Sequence, residues 1–410
     1  MVAVACGARS ELELPDPRYC SESVASAEQS TLDLLLVIDS SRSMEFETAL
    51  GPTKWSELSF AINAFLDEPS LEGTGVGLVF FPEVRPEVPD TCLTELACGE
   101  PDACRPQFIC YPSLEVGCDT DARCAEQGFP NDTCERVGQC DESGGGCLVS
   151  DPEAFSCPLG ETCTPSGVCT NASRCDTGAY RIDELAELPG AAITIASRLS
   201  ARPLDGGTPT LAAVRGGIAS ARDRLAAFPD RKAVVVLATD GIPTQCDDDI
   251  DRFDLGPSRV ENIVPEVAAA ASDGIETFVI GVFDPDTIDD GRANLELVAD
   301  AGGREAFIVD TQGDVGGEVL AALEQLEGDA TRCVFNAPWT GGDRPGVVEV
   351  VVDGGERILP RVGSRDDCDG ADAFYFETSP SSEVDSVRFR LCAEACRRGG
   401  SGFQLSIGCE

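Results

Sequence analysis

The stretch Leu32-Asp33-Leu34-Leu35-Leu36-Val37-Ile38-Asp39-Ser40-Ser41-Arg42-Ser43 decides the fold. Apolar residues fill Leu32 to Ile38 apart from Asp33, a run far short of the roughly 20 residues of a spanning helix and suited to a strand buried on both faces. It ends in a carboxylate and two hydroxyls at i, i+2 and i+4: Asp39, Ser41 and Ser43. Helical spacing follows at Trp55, Leu58, Ile62 and Phe65, then a second buried strand at Val76 to Phe81, so the chain opens β-α-β. In open sheets of that kind the ligand crevice lies beyond the carboxyl ends of the strands, where Asp39, Ser41 and Ser43 fall.

Outward from this opening, the pattern stops at Pro82 and resumes near Tyr180. Helical patterns are expected over Leu185 to Leu199 and at Leu211, Val214, Ile218 and Leu225, followed by a strand from Ala233 to Ala238 and a helix near Val260 to Ala271. A strand at Thr277 to Phe283, a helix near Asn294 to Asp300, a strand at Phe307 to Val309 and a helix through Val315, Val319, Leu323 and Leu326 complete the series. Strands alternating with helices predict an α/β fold, a three-layer, doubly wound and mostly parallel sheet. Short alternating strands at Val347 to Val352, Phe374 to Glu377, Val387 to Leu391 and Phe403 to Ile407 predict a small β-rich domain at the end. The expected organisation is a leader over 1–30, a host domain in two parts (31–82 and 179–329), a cysteine-rich insert (83–178) and the terminal domain (330–410).

The chain has 410 residues, 30 basic against 73 acidic, a formal net charge of -43 and no histidine. Such a surface repels phosphate backbones and anionic lipid heads, which argues against nucleic-acid and electrostatic membrane binding. The absence of histidine removes His-dependent triads and His-ligated zinc or haem. Of the 21 cysteines, those from Cys92 to Cys175 crowd a segment too poor in apolar residues to build a core without covalent help, which points to an exported protein. Glu161-Thr-Cys163-x5-Cys169 echoes Asp132-Thr-Cys134-x5-Cys140, as in small tandem disulfide modules. Ala3-Val4-Ala5-Cys6 resembles the end of a bacterial lipobox, which implies lipidation of Cys6 with the basic and apolar signal regions lying upstream.

Two further loops reach the edge that carries Asp39. Asp205-Gly-Gly-Thr208-Pro-Thr210 opens a helix, and the strand Ala233 to Ala238 runs into Thr239-Asp240-Gly241, so Asp39, Ser41, Ser43, Thr208 and Asp240 converge. Each could instead be a local device: Asp39, Ser41 and Ser43 capping a helix, Thr208 an N-cap ahead of Pro209, Asp240-Gly241 a turn.

In order and position these five residues resemble the metal-ion-dependent adhesion site of the von Willebrand factor type A (VWA) family: a D-x-S-x-S loop, a Thr on a second loop and an Asp on a third. The resemblance covers about Leu32 to Gly328 without the insert and implies a VWA/Rossmann-like fold binding Mg²⁺ or Mn²⁺. Hard oxygen donors suit such ions, and two charged ligands among five leave the ion electron-poor, open to an Asp or Glu carboxylate from a protein partner. It also implies adhesion rather than catalysis, in a secreted or surface-anchored protein.

Two other readings stand beside it. One is a structural envelope protein in which the metal stabilises the fold; the other is a phosphatase with Asp39 as nucleophile, like the haloacid dehalogenases. Those enzymes want a second acid where Ser41 stands and a basic residue, for which only Lys54 and Lys232 are present. The acidic run Asp247, Asp248, Asp249, Asp251 and Asp254 lacks EF-hand spacing and reads as solvated surface.

Parity organises the remaining cysteines. The insert and the terminal group (Cys333, Cys368, Cys392, Cys396, Cys409) are each odd in number, and only Cys20 and Cys246 remain outside them once Cys6 is set aside. Cys246 shares the metal-loop edge with the insert, so it is expected to bond to an insert cysteine, with Cys175 at the re-entry point the candidate, and Cys20 to bond within the terminal domain.

Overall fold

A computed structural model describes residues 23–407 except 90, 102, 114–117, 119, 127–128, 151–156, 159, 242, 244–245, 247–259, 332, 341–347, 354–356, 369, 378–379, 382–383 and 399–401. Cys6, Cys20, Cys409 and the acidic run after Cys246 lie outside these residues. Two compact units emerge, Thr31–Ala330 and a second built from 1–30 together with 331–410. No helix among the described residues is long and apolar enough to cross a membrane.

The first unit is built on a six-stranded sheet of β1 (Thr31–Asp39), β2 (Gly75–Phe81), β3 (Leu185–Glu187), β4 (Arg231–Thr239), β5 (Glu276–Phe283) and β6 (Phe307–Asp310). The order is β3-β2-β1-β4-β5-β6, parallel throughout except for the short edge strand β3. Leu32, Leu34, Leu36 and Ile38 face one helical layer, α1 (Lys54–Leu66), α2 (Gly190–Ala201) and α6 (Val315–Thr331). Leu35 and Val37 face the other, α3 (Thr210–Ala227), α4 (Val264–Ser272) and α5 (Ile288–Ala301). Both faces of β1 are therefore covered, which is why its sequence is a continuous apolar run. Asp33, the one charge in that run, is fully buried and paired with Arg224 at 2.6 Å and Arg231 at 2.7 Å, at the edge opposite the ends of the strands.

Two helices begin later than their periodicity predicts. Leu185–Glu187 pairs with Gly75–Gly77 as β3, and the helix starts only at Gly190, after Pro189. Likewise α4 starts at Val264 with Pro265 in its first turn, where the missing N–H costs nothing.

The cysteine-rich segment leaves the sheet after Phe81 and returns along its own outgoing path: Val84 pairs with Ser173, the Arg85 amide donates to the Ala172 carbonyl at 2.8 Å, and the Arg174 amide to the Glu83 carbonyl at 2.8 Å. Above this two-stranded stalk the cysteines form three groups of four with one connectivity, first to third and second to fourth. Cys110–Cys124 with Cys118–Cys134 makes one group and Cys140–Cys157 with Cys147–Cys163 another. The remaining group, Cys92–Cys104 and Cys98–Cys169, is interrupted between its third and fourth cysteines by the other two. The echoing Cys134-x5-Cys140 and Cys163-x5-Cys169 are thus links from one group to the next.

In the second unit two four-stranded antiparallel sheets share a core that includes Val350, Leu405, Phe374 and Phe389. Ser23–Ser26, in the expected leader, is an edge strand on Phe403–Ile407, and Glu28–Gln29 pairs with Val334–Pro338. Cys333–Cys396 and Cys368–Cys392 close this unit.

Candidate functional site

The strand order reverses between β1 and β4, whose neighbours lead outward in opposite directions. A crevice opens beyond the carboxyl ends at such a switch point. β1 ends there in Asp39, β4 runs into Asp240, and the glycine turn before α3 carries Thr208 to the same place.

The five oxygen-bearing side chains come together. One Asp39 oxygen accepts from the Ser41 amide at 2.8 Å and the other from the Thr239 hydroxyl at 2.5 Å. Ser41 Oγ and Ser43 Oγ are 3.0 Å apart, and Ser43 Oγ donates to Asp240 Oδ1 at 2.7 Å. A Cβ placed on Gly241 would lie 3.2 Å from Thr208 Oγ1 and 3.9 Å from Asp39 Oδ2, so the glycine lets the third loop close on the other two. Asp39, Ser41, Thr208 and Asp240 are all buried.

Helix capping does not account for these residues. Ser41 precedes a short 3₁₀ turn, Arg42–Glu45, without a side-chain cap bond. Pro209, not Thr208, stands at the N-cap of α3.

The electrostatics expose what the donor set lacks. Burial, and then the neighbouring Asp240 carboxylate, push the Asp39 carboxyl up to about 7, against the hydrogen bonds from Thr239 and Ser41. Burial raises Asp240 as well, against the opposing charge of Lys54. Two carboxylates are thus held out of water with hydroxyls between them and a single ammonium on one side. This donor set fits a hard divalent cation, which would supply the missing positive charge.

That ammonium is the residue sequence reasoning did not place here. Lys54 opens α1, is buried, and donates to Asp240 Oδ2 at 3.2 Å while pairing with Asp284 Oδ2 at 2.7 Å. Asp284 Oδ1 accepts from the buried Thr311 hydroxyl at 2.7 Å. Partial burial raises Asp284, but the Lys54 and Thr311 hydrogen bonds outweigh it and leave the carboxyl below its usual range. A signal existed: Lys54, Leu58, Ala61, Ile62 and Phe65 follow the i, i+4, i+7, i+8, i+11 spacing of the buried face, which puts a charge where an apolar residue belongs.

The base of the insert stalk is built into the same loops. Arg202 donates to Ser40 Oγ at 2.9 Å, to Glu83 Oε1 at 2.9 Å and to the Pro82 carbonyl. The buried Tyr180 hydroxyl donates to the Arg174 carbonyl at 2.6 Å and accepts from the Glu83 amide at 3.2 Å; burial pushes this phenol up to about 12. Gly206, at φ 75°, lies so near the stalk that a Cβ would come within 2.9 Å of Val84 and 3.0 Å of Pro82. Arg42, between the two serines, is tied to Asp205 on the second loop at 2.6 Å. A disulfide joins Cys175, where the stalk ends, to Cys246, six residues after Asp240, with Cα atoms 5.0 Å apart.

No protein-family model matches the chain, and no curated protein is similar to it in sequence. Among solved structures it is similar to the PilB minor pilin from Streptococcus sanguinis, at 12% identity and TM-score 0.37, over 74% of this chain and 63% of that one. It is similar to the pilus adhesin SpaC from Lactobacillus rhamnosus GG at 14% identity and TM-score 0.39, over 97% of this chain and 44% of that one. The vWF domain of the type V pili tip protein Mfa5 from Porphyromonas gingivalis matches at 10% identity and TM-score 0.36, over 75% of this chain and 98% of that one. The chain thus spans less than two thirds of the first two proteins, and likenesses this distant assign neither family nor function.

Proposed function

We propose that this chain is an exported, metal-dependent binding protein of the VWA kind, which captures a carboxylate of a protein partner at Asp39, Ser41, Ser43, Thr208 and Asp240. The observation that carries this reading is the convergence of two buried carboxylates on one pair of hydroxyls at the sheet's switch point: Asp39 accepts from the Ser41 amide, Asp240 from the Ser43 hydroxyl, and the Ser41 and Ser43 hydroxyls meet each other at 3.0 Å. Asp39 and Asp240 supply the charge that retains a dication; Ser41, Ser43 and Thr208 orient it without neutralising it further. Bound Mg²⁺ or Mn²⁺ would offer an electron-poor position to an incoming Asp or Glu. The cysteine groups support an oxidising, extracellular or surface location, and anchoring through Cys6 belongs to the same reading.

The test is a peptide array in which each peptide carries one Asp or Glu, probed with the oxidised chain in Mg²⁺ and in EDTA. Capture in Mg²⁺ alone, lost when the acidic residue becomes Asn or Gln, supports the reading. A metal with a purely structural role would leave capture absent in both buffers while EDTA lowers the melting temperature.

A further inference from the structure

The geometry points to Lys54 as a positioning residue that sets how strongly the site holds its dication, with Asp284 moderating it. This inference rests on the reading of Asp39 and Asp240 as metal ligands.

The charge of Lys54 does not serve its own helix. A cation in the first turn of α1 opposes the helix dipole, and burying an ammonium is costly unless it is paired. Its two partners are both acids at the sheet edge, 3.2 Å away on Asp240 and 2.7 Å away on Asp284, and the Phe46 ring lies 5.8 Å from its Nζ. The Asp240 carboxylate is thereby divided: Oδ2 is engaged by Lys54, and Oδ1 is presented to Ser43 and the hydroxyl cluster. Lys54 thus fixes the carboxylate plane and offsets part of its charge.

The two effects act in opposite senses on two ligands. A fixed positive charge beside Asp240 disfavours uptake of a dication, so the site binds its metal more weakly than two buried carboxylates would allow. The same charge leaves the loaded site more positive and strengthens its pull on an incoming anion. Asp284 is 38% exposed at its side chain, so water screens it, and it draws off only part of the Lys54 charge. Removing the Asp284 charge should therefore act opposite to removing the Lys54 charge.

Mg²⁺ titration calorimetry on the full oxidised chain decides this, using wild type, Lys54→Met and Asp284→Asn at low ionic strength. Lys54→Met should bind Mg²⁺ about tenfold more tightly, and its melting temperature should rise more on adding Mg²⁺ than that of wild type; Asp284→Asn should bind Mg²⁺ several-fold more weakly. A lysine that only filled space would lower the melting temperature at every Mg²⁺ concentration and leave affinity unchanged. Affinities of either variant within twofold of wild type, or shifts in the same direction for both, overturn the inference while leaving the metal site standing. If Lys54→Met does not fold, Asp284→Asn decides alone by the same criterion. Absence of Mg²⁺ and Mn²⁺ binding by the wild type overturns the metal site itself and this inference with it.

Discussion

Replacing both Cys175 and Cys246 by Ser should cost the Thr31–Ala330 unit about 3 kcal/mol. The disulfide closes a loop of 71 residues that runs through β3, α2, α3 and β4, all host elements, so the cysteine groups of the insert lie outside it and cancel between variant and wild type. Loop-closure entropy for that length is worth about 4.4 kcal/mol at 25 °C. Against this stands the backbone of Cys246, held at φ 66° in the left-handed region, a conformation that costs roughly 1 kcal/mol and that Ser can relax once the tether is gone. The assay is urea unfolding of the oxidised wild type and the double variant, following the transition of this unit. A loss below about 1 kcal/mol, or peptide mapping under non-reducing conditions that joins Cys246 to another cysteine, would refute the reasoning. The variant should also bind Mg²⁺ more weakly, because the loop that follows Asp240 loses its attachment to the stalk.

Asp33→Ala should destabilise the same unit by about 3 kcal/mol in thermal or urea unfolding, since it removes the fully buried carboxylate that Arg224 and Arg231, both largely buried, share, and leaves Arg231 its contacts with Glu187 and the Leu32 and Gly73 carbonyls; an unchanged midpoint would show that the shared carboxylate contributes nothing beyond those contacts. Gly241→Val should abolish Mg²⁺ binding with the fold retained by circular dichroism, because its side chain would press on Thr208 and Asp39; unaltered binding would mean that the third loop does not close on the other two. Cys20 should be found joined to Cys409 in non-reduced peptide maps, as the terminal cysteine left over once Cys333–Cys396 and Cys368–Cys392 have formed; a peptide joining Cys20 to the insert would exclude this.

The host sheet was legible where burial alone dictates sequence. β1 and β4 are covered on both faces, so Leu34 to Ile38 and Ala233 to Ala238 are unbroken apolar runs and the strands stand out at once. Edge elements were harder: Leu185–Glu187 has too few residues to separate a strand from the helix that follows, and Ser23–Ser26, half serine and with Val24 exposed, has no apolar-in, polar-out alternation to mark it. At the site, Asp39, Ser41, Ser43, Thr208 and Asp240 could be picked out because each stands at or just past the end of a strand, or in the glycine turn before a helix, at one end of the sheet. Asp284 and Thr311 also stand directly after strands, β5 and β6, but belong to no motif that sets them apart from ordinary loop residues, and Lys54 opens α1 rather than following a strand, so the three were not grouped with them. The pairing inside the insert was equally closed to inspection, because four cysteines admit three connectivities and nothing in the spacing selects the interlaced one.

The most direct test of the metal site is calorimetric titration of Mg²⁺ into the oxidised full chain, wild type beside Ser41→Ala and Asp240→Ala. The geometry predicts a single saturable site in the wild type, lost in both variants, with circular dichroism unchanged. Equal Mg²⁺ binding by all three proteins, or none by the wild type in Mg²⁺ or Mn²⁺, would contradict it.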